Sequence, residues 1–299
     1  MESIGDIMKN MQMDGGTNTN GRKPQANRTT QVEDCRCENC GITFESEVTT
    51  YNIGGRVREF RPRECPACKD KRETEEAAER QRYLEAARAE ARENWRRQSG
   101  IPEYLLASTF ASFERDRHDK ALKNCLKYAQ GFNLADPRGY RSLILYSPQP
   151  GVGKTHLMVA IANYVMDHCE GELGIIHRPI RFEKGPNLVR RVRATYSIRH
   201  GDNYHEREED IYNELKGIKL LLLDDVGKEK PSDFTRDLYW SVVDERVTRG
   251  LPVVITCRQP LDSLGDLMNP DTVDRLYGMT GGQVETLTGE SYRRLKRVA

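Results

Sequence analysis

The stretch YSPQPGVGKTH, residues 146–156, constrains the fold more than any other part of the chain. The apolar run Leu143–Tyr146 precedes it, and Leu157, Ile161 and Val165 follow at helical spacing. Strand, glycine loop and helix in that order are the setting of a phosphate-binding P-loop. Gly151 and Gly153 let successive backbone N–H groups converge on phosphate oxygens, and the helix N-terminus adds its partial positive charge. Lys154 is placed to reach the β- and γ-phosphates, and the Thr155 hydroxyl to ligate Mg²⁺. Gly151, Val152, Gly153, Lys154, Thr155 and His156 are therefore the candidate nucleotide-binding residues of the loop. Pro148 stands where the pattern has its first glycine. It fixes φ and lacks an N–H, which predicts a stiffer loop entry.

LLLLDDVG, residues 220–227, is the second decisive motif. Four leucines read as a buried parallel strand, and the two aspartates fall at its C-terminal end, where ligands gather on an open α/β sheet. Asp224 is the candidate Mg²⁺ carboxylate. Asp225 is the candidate to orient and deprotonate an attacking water. VVITCR (253–258) reads as another buried strand, and LGIIHRPIRF (173–182) as a further one. An amphipathic helix over 233–249 turns Phe234, Leu238, Val242 and Val243 inward and stops at Gly250. Strands alternating with helices predict an α/β fold, a parallel sheet flanked by helices.

Ahead of this core, five of the eight cysteines lie between Cys35 and Cys68. CENCG (37–41) and ECPAC (64–68) are two Cys-x-x-Cys knuckles, which suit tetrahedral Zn²⁺. Cys37, Cys40, Cys65 and Cys68 are the candidate ligands, with Cys35 as a substitute for Cys37. Val48, Tyr51, Ile53 and Val57 around Gly54-Gly55 predict a strand–turn–strand within a small zinc ribbon. The ribbon is either a structural staple, which so small a unit needs, or a contact surface carrying Arg56, Arg58, Arg61 and Arg63.

The chain has 299 residues and a net charge of +1, so no global field marks it as a nucleic-acid binder. No apolar run approaches a membrane span, and the N-terminus lacks a signal-peptide core. The expectation is a cytoplasmic protein. Ile4, Ile7, Met8 and Met11 form one apolar stripe on a short helix, followed by a Gly-, Asn- and Thr-rich stretch. That pattern reads as a tethered arm for a partner. Residues 69–98 are dense in Glu, Arg and Ala and predict a solvated helix about 45 Å long. The organisation read from sequence is helix and linker over 1–31, zinc-binding unit over 32–70, helical spacer over 71–100 and ATPase domain over 101–299. PNLVRRVRATYSIRH (186–200) is a basic segment in which Arg190, Arg191, Arg193 and Arg199 could track phosphates and Tyr196 could stack on a base; the alternative is a solvated helix face.

Taken together, the P-loop, LLLLDDVG, the Thr of VVITCR, Asp-Arg-Leu at 274–276, the terminal SYR and the TFASF segment (109–113) resemble the AAA+ ATPases of the DnaC/DnaI helicase-loader and IstB type. The resemblance covers about residues 100–296. It implies that Lys154 and Thr155 bind ATP and Mg²⁺, that Asp224 and Asp225 form Walker B, and that Thr256 lies in sensor 1. It also implies that Arg275 is an arginine finger acting on a neighbouring subunit in a head-to-tail assembly, and that Arg293 is sensor 2. A surface ion pair from Arg275 to Asp271 or Asp274 is the plainer alternative. MESIGDIMKNM resembles the start of DnaC-type loaders, and a zinc unit before the ATPase resembles DnaI-type loaders.

Two departures stand out. Arg258 occupies the place where sensor 1 usually carries Asn. Asp225 is one methylene shorter than the usual Glu, which predicts slow hydrolysis suited to a switch. Few residues follow the sensor 2 match, too few for a helical lid or a helix-turn-helix. The resemblance implies a helicase loader that binds single-stranded DNA and the replicative DNA helicase. An IstB-type transposition ATPase is the second reading, and a zinc adaptor with a decayed nucleotide site the third.

Overall fold

The computed structural model describes residues 27–53, 56–113, 118–168, 178–196 and 206–295. The apolar stripe of residues 1–12, most of the following linker and Arg199 lie outside them. The chain divides into two compact units, with the division between Tyr83 and Leu84.

The first unit is a three-stranded antiparallel sheet in the order β1 (Asn27–Arg36), β2 (Thr43–Ile53), β3 (Arg56–Phe60). The expected strand–turn–strand is β2 and β3. Strand β1 was not anticipated: residues 27–31, read as flexible linker, pair with Val48–Asn52 of β2. Their side chains are polar because that part of the sheet is bathed in solvent, so the hydrophobic cue for a strand is missing. Helix α1 (Pro66–Gln98) starts inside the second cysteine knuckle, earlier than expected. Pro66 at its first position suits a helix start, since no N–H is needed there.

The second unit carries a five-stranded sheet in which every pairing is parallel, in the order β5-β6-β7-β4-β8. Its elements in chain order are α2 (Asp119–Gly131), β4 (Leu143–Tyr146), α3 (Lys154–Asp167), β5 (Ile180–Lys184), α4 (Gly185–Thr195), α5 (Glu208–Gly217), β6 (Leu220–Val226), α6 (Asp233–Arg249), β7 (Val253–Cys257), α7 (Gly265–Met268), α8 (Pro270–Met279), β8 (Val284–Thr286) and α9 (Tyr292–Leu295). The α/β expectation holds. Of the strand expected over 173–182, residues 173–177 lie outside the described residues; β5 begins after Pro179, whose carbonyl accepts from Leu220 N at 3.0 Å, and runs on to Lys184.

The leucine run explains the two-layered core. Leu220 and Leu222 join the cluster containing α2 and α3, while Leu221 and Leu223 join the cluster containing α4, α5 and α6. Period-two alternation sends successive side chains to opposite faces, so a strand covered on both faces must be apolar throughout. Each buried leucine stabilises by about 1.5–3 kcal/mol relative to exposure. The sheet order also places β7 between the P-loop strand β4 and the aspartate strand β6. Thr256 on β7 thus sits between phosphate loop and carboxylates. Among the described residues no helix is long and apolar enough to cross a membrane.

Candidate nucleotide site and cysteine centre

Gly151 and Gly153 adopt φ of 76° and 101°, the left-handed region that glycine enters without penalty. A Cβ on Gly153 would also stand 2.6 Å from the Phe113 ring. Lys154 is buried at the start of α3, and its ammonium donates to the carbonyls of Ser147 (3.1 Å) and Gln149 (3.2 Å). Burial, then the Arg258 charge, lowers its pKa.

The carboxylates sit where the sheet order demands. Thr155 Oγ1 and Thr256 Oγ1 each donate to Asp224 Oδ1 at 2.7 Å. Thr256 Oγ1 in turn accepts the Asp225 backbone N–H at 2.8 Å. One hydroxyl on β7 therefore holds both consecutive aspartates of β6. Burial pushes the Asp224 carboxyl above its ordinary value, and the two threonine donors oppose that rise. Asp225 differs: burial raises it too, but Lys228 and Arg258 outweigh burial and hold it below its ordinary value. Its carboxylate lies 2.6 Å from Lys228 Nζ and 3.4 Å from Arg258 Nε. Asp225 also takes φ of 55°, at a break in the β6–β7 register. A non-glycine residue held there stores strain, and such strain gathers at functional sites.

The hydroxyl of Thr155 and the carboxylate of Asp224, brought together at the foot of the loop, offer the hard oxygen ligands that Mg²⁺ takes. Over them opens a cavity of about 230 Å³ lined by Lys154, Asp225, Arg258, Arg293, Phe113 and Tyr292. Phe113 and Tyr292 come within 6.1 Å between ring centroids. His156 bonds the Thr109 carbonyl at 2.8 Å and stands 5.3 Å from the Phe113 ring, tethering the TFASF segment at the loop. Val152 is fully buried beneath the loop. Sequence reasoning noted TFASF and SYRR but did not place Phe113 and Tyr292 in the site, since nothing local to either segment points to the P-loop.

Arg275 lies elsewhere. It is on α8, and its guanidinium pairs with Asp244 Oδ1 at 2.5 Å and stacks over Trp240 at 4.7 Å, both on α6. The near-sequence partners Asp271 and Asp274 are not the ones used. In the basic segment, Arg191 is drawn into ion pairs with Glu183, Glu206 and Glu214. It is thereby removed from the set that could track phosphates. Arg190, Arg193 and Tyr196 stay exposed, with Arg193 5.0 Å over the Phe234 ring.

In the first unit, the sulfurs of Cys37, Cys40, Cys65 and Cys68 all lie within 4.8 Å of one another. Four thiolates around Zn²⁺ at about 2.3 Å would be separated by about 3.8 Å, and Cys40 and Cys65 stand at 3.6 Å. Cys35 is buried but is not in the group. Backbone N–H groups of Cys65 and Cys40 bring the Cys37 thiol down to about 6, while hydrogen bonds with the Cys40 and Cys65 sulfurs push Cys68 up to about 12.

Residues 109–299 match the family described as IstB-like ATP binding protein. The chain belongs to that family. Among curated proteins it is 25% identical to the replicative helicase loader DnaC of Buchnera aphidicola subsp. Schizaphis graminum, over 67% of this chain and 74% of that one. It is 23% identical to DnaC of Escherichia coli K12, over 52% of this chain and 56% of that one. Among solved structures, the DnaC helicase loader is similar at TM-score 0.49 and 19% identity, covering 62% of this chain and all (100%) of that one. DnaI is similar at TM-score 0.49 and 18% identity, covering 63% and 95%. The IstB-type resemblance read from the short motifs is the family that residues 109–299 match.

Proposed function

We propose that the chain is an ATP-dependent helicase loader: it binds the replicative DNA helicase and single-stranded DNA and delivers the helicase as DNA replication starts. The hydrogen-bonded set Thr155–Asp224–Thr256 beneath the P-loop carries the ATPase part of this reading. The DnaC relatives support the loader part.

In this reading the loop N–H groups and Lys154 cradle the β- and γ-phosphates, and the Phe113 and Tyr292 rings offer apolar surface to the rest of the nucleotide. Thr155 and Asp224 would hold Mg²⁺, which neutralises phosphate charge when bound. Asp225 orients the attacking water and accepts its proton. Because Lys228 and Arg258 hold that carboxylate at low basicity, it is a weak base, and slow turnover follows. Arg293 faces the phosphates from α9. Arg275, supplied by a neighbouring copy, stabilises charge on the γ-phosphate; a head-to-tail contact of that kind gives a ring or spiral. The four cysteines hold one Zn²⁺ as a fold-closing staple.

The IstB-like family description favours one second reading, a transposition ATPase acting with a transposase. A tagged full-length chain, incubated with ATP and the host's replicative helicase, separates the two. Capture of the helicase, with turnover responding to single-stranded DNA, is the expected result. Capture of a transposase alone, with turnover responding only to duplex, would overturn the loader reading. Absence of ATP binding would leave a zinc adaptor.

A further inference from the structure

The register of the three-stranded sheet fixes which side chains share a face. Arg28 of β1 and Arg58 of β3 both stand opposite Tyr51 of β2. In the next row on the same face, Thr30 and Phe60 stand opposite Thr49. Residues directly opposite one another project to the same side, and strands lie about 4.8 Å apart. The Tyr51 and Phe60 rings accordingly meet edge-on at 5.5 Å. Arg56 shares this face by alternation from Arg58. The other face holds the buried Cys35 and Val48.

This outer face is open. Arg28, Arg56 and Arg58 are exposed, and Phe60 is 53% exposed. The three arginines form no ion pair with another described residue. By contrast, Arg61 is held by Glu33 at 2.7 Å and Glu59 at 2.6 Å, and Arg63 lies 3.8 Å from Glu38. The structure thus takes Arg61 and Arg63 out of the basic set seen in sequence and adds Arg28. Acidic Glu47 stands on the same face in the row next to Thr49 and Phe60, and Asp34 and Glu45 lie beyond it toward the Cys37–Cys40 turn.

We propose that the outer face of this sheet is a contact surface for single-stranded nucleic acid, with bases stacking on Tyr51 and Phe60 and phosphates meeting Arg28, Arg56 and Arg58. Adjacent aromatic rings flanked by unpaired guanidinium groups are what a base-and-phosphate polymer needs, and stacking needs unpaired base faces. Charge complementarity selects a polyanion, and the acidic end sets the limit of the track. This surface adds a second contact to the proposed loader and rests on that reading only for the choice of DNA as the strand.

The test uses full-length protein and a fluorescein-labelled oligothymidylate, read by anisotropy across rising NaCl. Tyr51→Ala with Phe60→Ala should weaken binding by about tenfold or more. Arg28→Gln with Arg58→Gln, both at exposed positions, should reduce the slope of log affinity against log salt by about 1.4, two phosphates' worth on a single strand. Circular dichroism and thermal melting check that each variant folds as the parent does. Arg190→Ala with Arg193→Ala reports the basic segment of the ATPase unit separately. Equal binding of an oligouridylate supports the same surface and makes it a reader of single strands in general. The proposal is overturned if the folded Arg28/Arg58 variant keeps the parent's affinity and slope, or if duplex binds as tightly as single strand. It is also overturned if these variants lose helicase capture but not the oligonucleotide. Failure of helicase capture in the parent, with the oligonucleotide results as expected, would remove the loader reading and leave this surface standing.

Discussion

Replacing Thr256 by valine removes one hydroxyl from a fully buried position and changes little else in shape. That hydroxyl donates to Asp224 Oδ1 at 2.7 Å and accepts the Asp225 N–H at 2.8 Å. Losing a hydrogen bond to a buried carboxylate costs about 1.5–3 kcal/mol, and leaving the Asp225 N–H without a partner adds about 1 kcal/mol. The expected loss is about 3 kcal/mol, roughly a hundredfold in the unfolding equilibrium. Urea unfolding of full-length parent and variant at pH 8 measures it.

The pH dependence carries a second signature. Burial has already raised the Asp224 carboxyl, and Thr256 is one of two donors opposing that rise. A carboxyl whose folded value lies above its unfolded value binds its proton more tightly when folded. Its contribution to stability is present at low pH and is lost as pH climbs from the ordinary carboxylate value through the folded value. Thr256→Val raises the folded value further, so the loss continues to higher pH. The stability gap between variant and parent should therefore widen with rising pH and then level off. Mg²⁺-dependent ATP affinity should fall most on the acid side, where less of the variant's Asp224 is ionised. A gap under about 0.5 kcal/mol at pH 8, or one independent of pH, would show that Thr256 does not hold the carboxylate.

Asp225→Asn keeps the shape of the site and removes its base, so ATP binding should persist while turnover falls by about 10²–10⁴, measured by nucleotide affinity and phosphate release; parental turnover would refute the role of Asp225. Purified without chelators, the protein should carry one Zn²⁺ per chain, and Cys65→Ser should lose it while the ATPase unit, with its own core, melts as before; metal-free parent protein would refute the cysteine centre. Arg275→Ala and Lys154→Ala should each be inactive, and mixing them should restore part of the activity, since an intact Lys154 site then meets an intact Arg275; no recovery in a confirmed assembly would refute a finger acting between copies.

The parts of the site that could be read from sequence are those whose chemistry lies within a few residues of chain. The P-loop, the aspartate pair after four leucines and the two cysteine knuckles each announce themselves by spacing. What could not be read came from tertiary approach. Phe113 and Tyr292 reach the P-loop from far apart in the chain, and no local pattern marks an aromatic residue as lining a pocket rather than a core. Arg191 looked equivalent to Arg190 and Arg193 until β5 and α5 brought Glu183 and Glu214 to it. Arg275 illustrates the same limit from the other side. Nearness in sequence favours Asp271 or Asp274 as partner, yet α6 packs on α8 and supplies Asp244 and the Trp240 ring together. An exposed ion pair of this kind is worth about 0–1 kcal/mol, so a neighbour's phosphate can draw the guanidinium away at little cost. Stability does not require Arg275 to stay where it is, and that leaves it available for the assembly experiment.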